Sequence, residues 1–449
     1  MLELTGGGRR LCDRLSRRSF IRAGFVGGAG LTLADYLRLR QAQAATSGGP
    51  ARPERSVILV WQHGGPSQLD TFDMKPAATA EVRGPYRPMS TSVSGIHICE
   101  HMPYHAQVMD KLTIHRGFTH GNSDHYAASH WILTGYIGAN GSNQTPRNPS
   151  MGSIASRLLG AKRSDVPSYV NINDGGFGYH GATYLGVAHN PFRTGSYSYG
   201  NEGPQLTTSG DGSFALVDGL SSETLRDRAT LLGSFDRLRR DVDQAGVFDG
   251  MDSINRQALE MLLSGRAREA FDLDREDTAT RQRYGDGWGE QALLARRLIE
   301  AGVRFVTLNT GYWDDHGNIK GRLDDKLPRH DRAVGVLIAD LAERGLLDDT
   351  LVITAGEFGR TPRINGDAGR DHWPQAQSIA LAGGGYRGGQ VLGATNDKAE
   401  HPIEGAFGPN DFSAIIYQAL GLDPTTTIPN HAGRPIHLLE KGEVPAGLV

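Results

Sequence analysis

The chain has 449 residues, 38% hydrophobic and 22% charged, enough apolar material for a sizeable buried core. Its net charge of −3 lacks the basic excess of a nucleic-acid binder, so no nucleic-acid partner is expected. Two cysteines are too few for a thiolate zinc cluster.

The first segment in chain order reads as an address rather than as fold. Arg17 and Arg18 precede Phe20, then comes the Gly-rich apolar stretch AGFVGGAGLTLADYL, then Ala42-Gln43-Ala44. That order is the pattern of a twin-arginine signal peptide over residues 1–44. The twin-arginine export machinery is then a partner, and the mature protein is expected to be periplasmic or extracellular. Cys12 would leave with the signal, and Cys99 alone would remain. The apolar run is too short and too Gly-rich for a stable membrane span. Export by this route carries folded proteins, which suits one that takes up a metal before leaving the cytoplasm.

Residues 45–449 read as a single α/β domain. Short β-branched apolar runs predict strands at Arg55–Trp61, Lys111–Gly117, Ser168–Asp174, Val303–Gly311, Thr350–Gly356 and Ser378–Gly385. The stretch GEQALLARRLIEAG predicts a helix closed by Gly302. A second helix follows from Val334, Leu337, Ile338 and Leu341, spaced to share one face. Residues 175–212 are rich in Gly, Ser and Tyr and predict an irregular loop, read as a lid. Residues from about 215 to 300 predict a charged helical insertion. Strands alternating with helices imply a three-layer α/β/α sandwich around a mostly parallel sheet. In such a sheet the working site lies beyond the carboxyl ends of the strands.

Candidate ligands collect at those ends. His63, Asp70 and Asp73 follow the first strand. His120, Ser123, Asp124, His125 and His130 follow the second. Asp314, Asp315 and His316 lie in WDDHGN, and Glu357, Asp371 and His372 lie in EFGRTPRINGDAGRDHWP. His120, His125 and His130 are spaced by five, which does not put them on one helical face. Mixed imidazole and carboxylate ligands without cysteine suit a divalent metal such as zinc, manganese or calcium. Arg360, Arg363 and Arg370 are placed to hold a phosphate or sulfate. A competing reading pairs Arg360 and Arg370 with Glu357 and Asp371, as struts for the loop.

The motifs GGPSQLDTFDMKP, HWILTG, WDDHGN, RGLLDDTLVITAGEFGRTPRIN and GRDHWP occur in this order over residues 55–440. In them the chain resembles the "domain of unknown function 1501" family, exported bacterial proteins placed beside the sulfatases in the alkaline phosphatase superfamily. The resemblance implies an alkaline phosphatase/sulfatase-like fold. It also implies that Asp70, or failing it Asp73, corresponds to the superfamily's first metal-binding acid. The superfamily nucleophile precedes a Thr-Gly pair; here that position is His125 instead of Ser, Thr or Cys, with Ser123 two residues away. The Asp-x-x-x-His pair has a counterpart in Asp314 and His316. The later Asp-His pair becomes Glu357-Phe358, and Asp371-His372 would supply the missing imidazole. No C/S-x-P-x-R pattern is present, so formylglycine chemistry is not expected.

Two functions follow as expectations. One is a metal-dependent hydrolase of phosphate or sulfate esters. Asp70, Asp314, His316, Glu357, Asp371 and His372 would be its metal ligands. A metal-activated hydroxide or Ser123 would attack at the position of His125, and Arg360 or Arg370 would stabilise the anion. Its substrate would be an anionic small molecule or polysaccharide ester. The other is a non-catalytic exported binding or scaffold protein for sulfated glycans.

Overall fold

The computed structural model describes residues 54–174, 179–196, 260–261 and 264–449, and the backbone alone of 25–26 and 31–32. The chain divides into Met1–Pro53 and Glu54–Val449. In the first unit Phe25–Val26 pairs antiparallel with Leu31–Thr32. The paired arginines and Ala42–Ala44 lie outside the described residues.

The second unit is built on eight strands. These are β1 (Ser56–Trp61), β2 (Leu112–Phe118), β3 (Tyr169–Asp174), β4 (Phe192–Ser196), β5 (Phe305–Asn309), β6 (Thr350–Ala355), β7 (Gln377–Ala382) and β8 (Gln390–Leu392). Their order across the sheet is β8-β2-β7-β6-β1-β5-β3-β4. Neighbours from β6 to β4 are all parallel, and β8 is parallel to β2. Only β7 runs backwards, antiparallel to both β6 and β2. The mostly parallel sheet is therefore as the alternation of elements predicts.

Strands β1, β5, β6 and β7 bury both faces, as strands under two helical layers must. Ile58 and Val60 of β1 point into one core. That core is covered by helices α1 (Pro103–Gln107), α6 (Trp288–Ala301) and α7 (Ile319–Glu343). Val57, Leu59 and Trp61 point into the other core, covered by α2 (His125–Thr134), α3 (Met151–Leu159) and α8 (Pro409–Ala419). The period-two alternation of strand side chains thus divides one apolar run between two layers. Gly302 closes α6 at φ 108°, a left-handed turn that costs glycine little.

Two regional expectations are revised. Residues 175–212 are not all irregular: Phe192–Ser196 forms the edge strand β4, beside β3. Of the helical region, α4 (Arg266–Phe271), α5 (Thr278–Tyr284) and α6 are described. The last of these is a layer of the sandwich, packed on the sheet, not an addition to it. The remainder of both regions lies outside the described residues.

The topology fixes where a site can form. Strands β1, β2, β5 and β6 all run the same way, so the loops after them reach one rim. Because β7 is reversed, the segment that leads into it, with Asp371 and His372, starts from that same rim. The antiparallel strand thus keeps both ends of the long loop after β6 at the rim that the loops after β1, β2 and β5 also reach.

Candidate metal centre

Asp314, after β5, is the hub. Its Oδ1 accepts from Arg360 Nη2 at 2.6 Å and lies 2.9 Å from His316 Nε2 and 3.0 Å from His372 Nε2. Its Oδ2 accepts from the Tyr312 hydroxyl at 2.8 Å and lies 3.4 Å from His125 Nε2. His125 is the first residue of α2, a helix capped by the Asp124 side chain, which accepts from Ala127 N at 2.9 Å. His372 and Arg360 are directly opposite in a two-residue antiparallel ladder, Gly359–Arg360 with His372–Trp373, so both approach Asp314 from one side.

The imidazoles are held by their other nitrogens. His125 Nδ1 lies 2.6 Å from Glu357 Oε1, His316 Nδ1 lies 2.6 Å from Asp371 Oδ1, and His372 Nδ1 lies 2.8 Å from the Ser123 carbonyl. A carbonyl oxygen only accepts, so His372 Nδ1 carries a proton, and the ring turns its Nε2 inward. The Glu357 and Asp371 carboxylates likewise accept from Nδ1 of His125 and His316 and turn the Nε2 atoms of those rings inward. Three Nε2 atoms therefore face the Asp314 carboxylate, each ring oriented by an outer acceptor, the arrangement usual for imidazoles that ligate a metal.

The donor set passes a test of fit for a small divalent cation. His125, Asp314 and His372 offer ligand atoms that all lie within 4.8 Å of one another. His316 Nε2 lies beside this set of three, 2.9 Å from Asp314 Oδ1 and 3.0 Å from His372 Nε2. Two imidazole nitrogens at that distance repel unless a proton or a cation lies between them. The imidazole nitrogens lie 2.9–3.4 Å from one or the other Asp314 oxygen, close to the roughly 3.3 Å between neighbouring ligands of a zinc ion with bonds of about 2.0–2.1 Å.

Electrostatics follow the same geometry. Burial alone would lower His125, but hydrogen bonds and charges from Asp314 and Glu357 outweigh it and lift the ring to about 9. Burial alone would raise Asp314, but His125, His372 and Arg360 hold it well below the usual carboxylate range. The adjacent His63 is driven the other way, to about 3, by burial first and by His125, His180 and Lys326 next. Glu357 is fully buried; its Oε1 also accepts from Gly64 N at 2.7 Å, and its Oε2 has no hydrogen-bond partner.

The sequence-derived candidates divide. Asp314, His316, His372 and His125 come together, with Glu357 and Asp371 behind two of the rings. Asp70 does not join them: it is fully buried, paired with Arg370 Nε at 2.7 Å and bonded by Ser67 Oγ at 2.5 Å. Asp73 is likewise buried, against Lys75 at 3.0 Å and Arg116 at 3.5 Å. Arg370 donates its remaining bonds to the Thr361, Pro362 and Val82 carbonyls, so it is a strut and not an anion clamp. Arg360 is also fully buried, bonded to Asp314 and to the Gly64, Gly65 and Arg370 carbonyls. Both arginines are struts, but their carboxylate partners are Asp314 and Asp70, not Glu357 and Asp371. Ser123 is exposed and contributes its carbonyl. His125, at the position expected for a nucleophile, stands instead among the candidate ligands, with Asp314 and His372.

Two residues escaped the sequence reading. Tyr312 bonds Asp314, and Lys326 on α7 holds both Asp315 oxygens at 2.6 Å and the Tyr312 carbonyl at 2.7 Å. Tyr312 adjoins the WDDHGN motif and was within reach. Lys326 sits in an ordinary amphipathic helix, where nothing marks it.

An α/β/α sandwich with an imidazole–carboxylate centre on the carboxyl rim of its sheet is the class these features define. The family model "Protein of unknown function (DUF1501)" matches residues 54–448, and the chain belongs to that family. No curated protein matches it. Among solved structures it is similar to the PsFucS1 sulfatase from Pseudoalteromonas sp., at 12% identity and a TM-score of 0.39, over 86% of this chain and 70% of that one. It is similar to the lipoteichoic acid synthase LtaP from Listeria monocytogenes, at 11% identity and a TM-score of 0.34, over 83% and 73%. It is also similar to an alkaline phosphatase from the Antarctic bacterium TAB5, at 13% identity and a TM-score of 0.34, over 83% and 99%.

Proposed function

We propose that this protein is an exported, zinc-dependent hydrolase of phosphate or sulfate esters. The observation that carries the reading is the convergence of the His125, His316 and His372 Nε2 atoms on Asp314, each ring locked from behind. Zinc is the choice among divalent metals because the donors are mainly nitrogen; calcium takes six to eight oxygens. Bound there, the ion would polarise an ester oxygen and make a bound water acidic. The protein's own residues hold the site: Glu357, Asp371 and the Ser123 carbonyl fix the rings, and Arg360 and Tyr312 fix Asp314. With His125 engaged as a ligand, water is the expected nucleophile, and an enzyme-bound ester is not expected. Export by the twin-arginine route would load the metal in the cytoplasm.

The test is to purify the mature chain and measure its metals by mass spectrometry. Aryl sulfate, phosphate monoester and phosphodiester substrates are then assayed, with His372→Ala beside the wild type. Stoichiometric zinc, with turnover that His372→Ala abolishes, is expected. Protein that neither takes up a metal nor cleaves any of these esters would overturn the reading.

The missing alcohol or thiol at position 125 favours a second reading, a metal-bearing protein that binds sulfated glycans without cleaving them. Zinc uptake and glycan-array binding with no turnover would distinguish it.

A further inference from the structure

We infer that Arg360 is a positioning residue, which holds two of the metal-capable side chains in register and does not bind the substrate's anion. The inference rests on the zinc reading above and concerns a residue whose type and motif suggest the opposite role.

Its guanidinium is fully buried and engaged on every side. Nε donates to the Gly65 carbonyl at 2.9 Å, Nη1 to the Arg370 carbonyl at 3.1 Å, and Nη2 to both the Gly64 carbonyl and Asp314 Oδ1, the latter at 2.6 Å. Recognition of a sulfate or phosphate takes a planar pair of N–H groups facing the ligand. Here those groups point at backbone carbonyls and a carboxylate.

What the arginine holds is informative. Asp314 is gripped directly. The Gly64–Gly65 turn is gripped by both its carbonyls, and the N–H of Gly64 donates to Glu357 Oε1 at 2.7 Å, which in turn orients His125 Nδ1 at 2.6 Å. The turn has no slack: Gly64 has φ +102°, and a Cβ there would lie 2.5 Å from Asp314 N. Arg360 therefore sets Asp314 by one hydrogen bond and His125 by a relay of three, through Gly64 and Glu357. It does so from the strand that faces His372 across the ladder. Removing it loosens two of the four proposed ligands together, whereas removing a substrate clamp would leave them in place.

The experiment compares wild type, Arg360→Gln and Arg360→Lys. It reads zinc affinity by calorimetry, the visible spectrum of the cobalt(II)-substituted proteins, and binding of inorganic sulfate and phosphate to zinc-loaded protein. Arg360→Gln is expected to weaken zinc by at least tenfold and to change the cobalt spectrum, with partial recovery in Arg360→Lys. Anion affinity of whatever is fully zinc-loaded should stay within about twofold. The native protein gives an independent reading, and decides the matter if Arg360→Gln does not fold. Phenylglyoxal treatment followed by peptide mass mapping should leave Arg360 unmodified in the folded state. Unchanged zinc affinity in Arg360→Gln with lost anion binding overturns the role, as does modification of Arg360 that phosphate blocks. Wild-type protein that takes up no zinc overturns the metal reading and this role with it. Zinc in the wild type with an unaffected Arg360→Gln overturns this role alone.

Discussion

Asp70 with Arg370 and Asp314 with Arg360 are the same two residue types, each tying another loop, after β1 or after β5, to the one after β6, yet they do opposite things. Around Asp70 every contact is inward: both partners are fully buried, and the remaining arginine N–H groups end on carbonyls. Around Asp314 the arginine is buried but the carboxylate is not, and three imidazole nitrogens face it from the solvent side. The chemistry of a rim therefore depends less on which residues are there than on whether their hydrogen-bonding capacity is closed upon itself. A closed pair is structure; an open cluster is a site.

The largest effect should come from opening the closed pair. Asp70→Asn leaves the Arg370 guanidinium buried without a counter-charge, which typically costs about 3–5 kcal/mol. Urea unfolding is expected to show a loss of that size, while the fraction that stays folded keeps its zinc. A loss below about 1 kcal/mol would mean that water reaches the pair and that the two regions are not as different as their burial implies.

How much of this contrast the sequence reveals depends on the physical rule behind each feature. The six predicted strands fall within three residues of β1, β2, β3, β5, β6 and β7, because a strand covered on both faces is a near-continuous β-branched run. The edge strands β4 and β8 were missed. Both are short, each pairs on one side only, and FRTGS and QVL carry little apolar signal. The site was legible as a neighbourhood, since parallel strands deliver their loops to one rim whatever those loops contain. Membership was not. Asp70 and Asp314 both follow strands, and no local pattern says which will meet an arginine in the dark and which will meet imidazoles at the surface. The reversal of β7, which brings His372 to the rim, is equally silent in SIALAGGG.

Imidazoles offer a second comparison of closed with open, and an intermediate effect. His115, packed on Phe407, is pushed down to about 4 by burial, and His330, stacked on His105 beneath Trp313, is pushed well below its ordinary value by burial and then by His105. Both are depressed, so the unfolded chain accepts protons near 6.5 that the folded chain refuses. Their stabilising contribution is present above pH 6.5 and is lost as pH falls towards 4. His125 is raised to about 9, so its contribution is present below 6.5 and is lost as pH rises through 9. Denaturant midpoints in chelator should peak near pH 6.5 and fall on both sides. His330→Leu should flatten the acid limb and His125→Asn the alkaline one. A midpoint flat from pH 4.5 to 8.5 would contradict both assignments.

The smallest effect on stability, and the sharpest use of the comparison, comes from repeating the first substitution at the open end. Asp371 is half exposed, and its partners are His316 Nδ1 at 2.6 Å and Asn365 Nδ2 at 3.1 Å. An exposed pair of this kind contributes at most about 1 kcal/mol, because water competes for both members. Asp371→Asn should therefore leave the unfolding midpoint of the metal-free protein almost unchanged. Its consequence lies in the ring it orients. An asparagine placed with its amide towards His316 no longer enforces the proton on Nδ1, and the bare Nε2 that faces Asp314 is lost in part of the molecules. Removing such an outer acceptor typically weakens a metal by about 10–100-fold, so zinc titration should show a loss near the lower end of that range. One carboxylate-to-amide change would thus cost stability and spare the metal at position 70, and cost the metal and spare stability at position 371. If instead Asp371→Asn binds zinc as wild type does, His316 is a surface residue beside a three-ligand centre, and the open region is smaller than its contacts suggest.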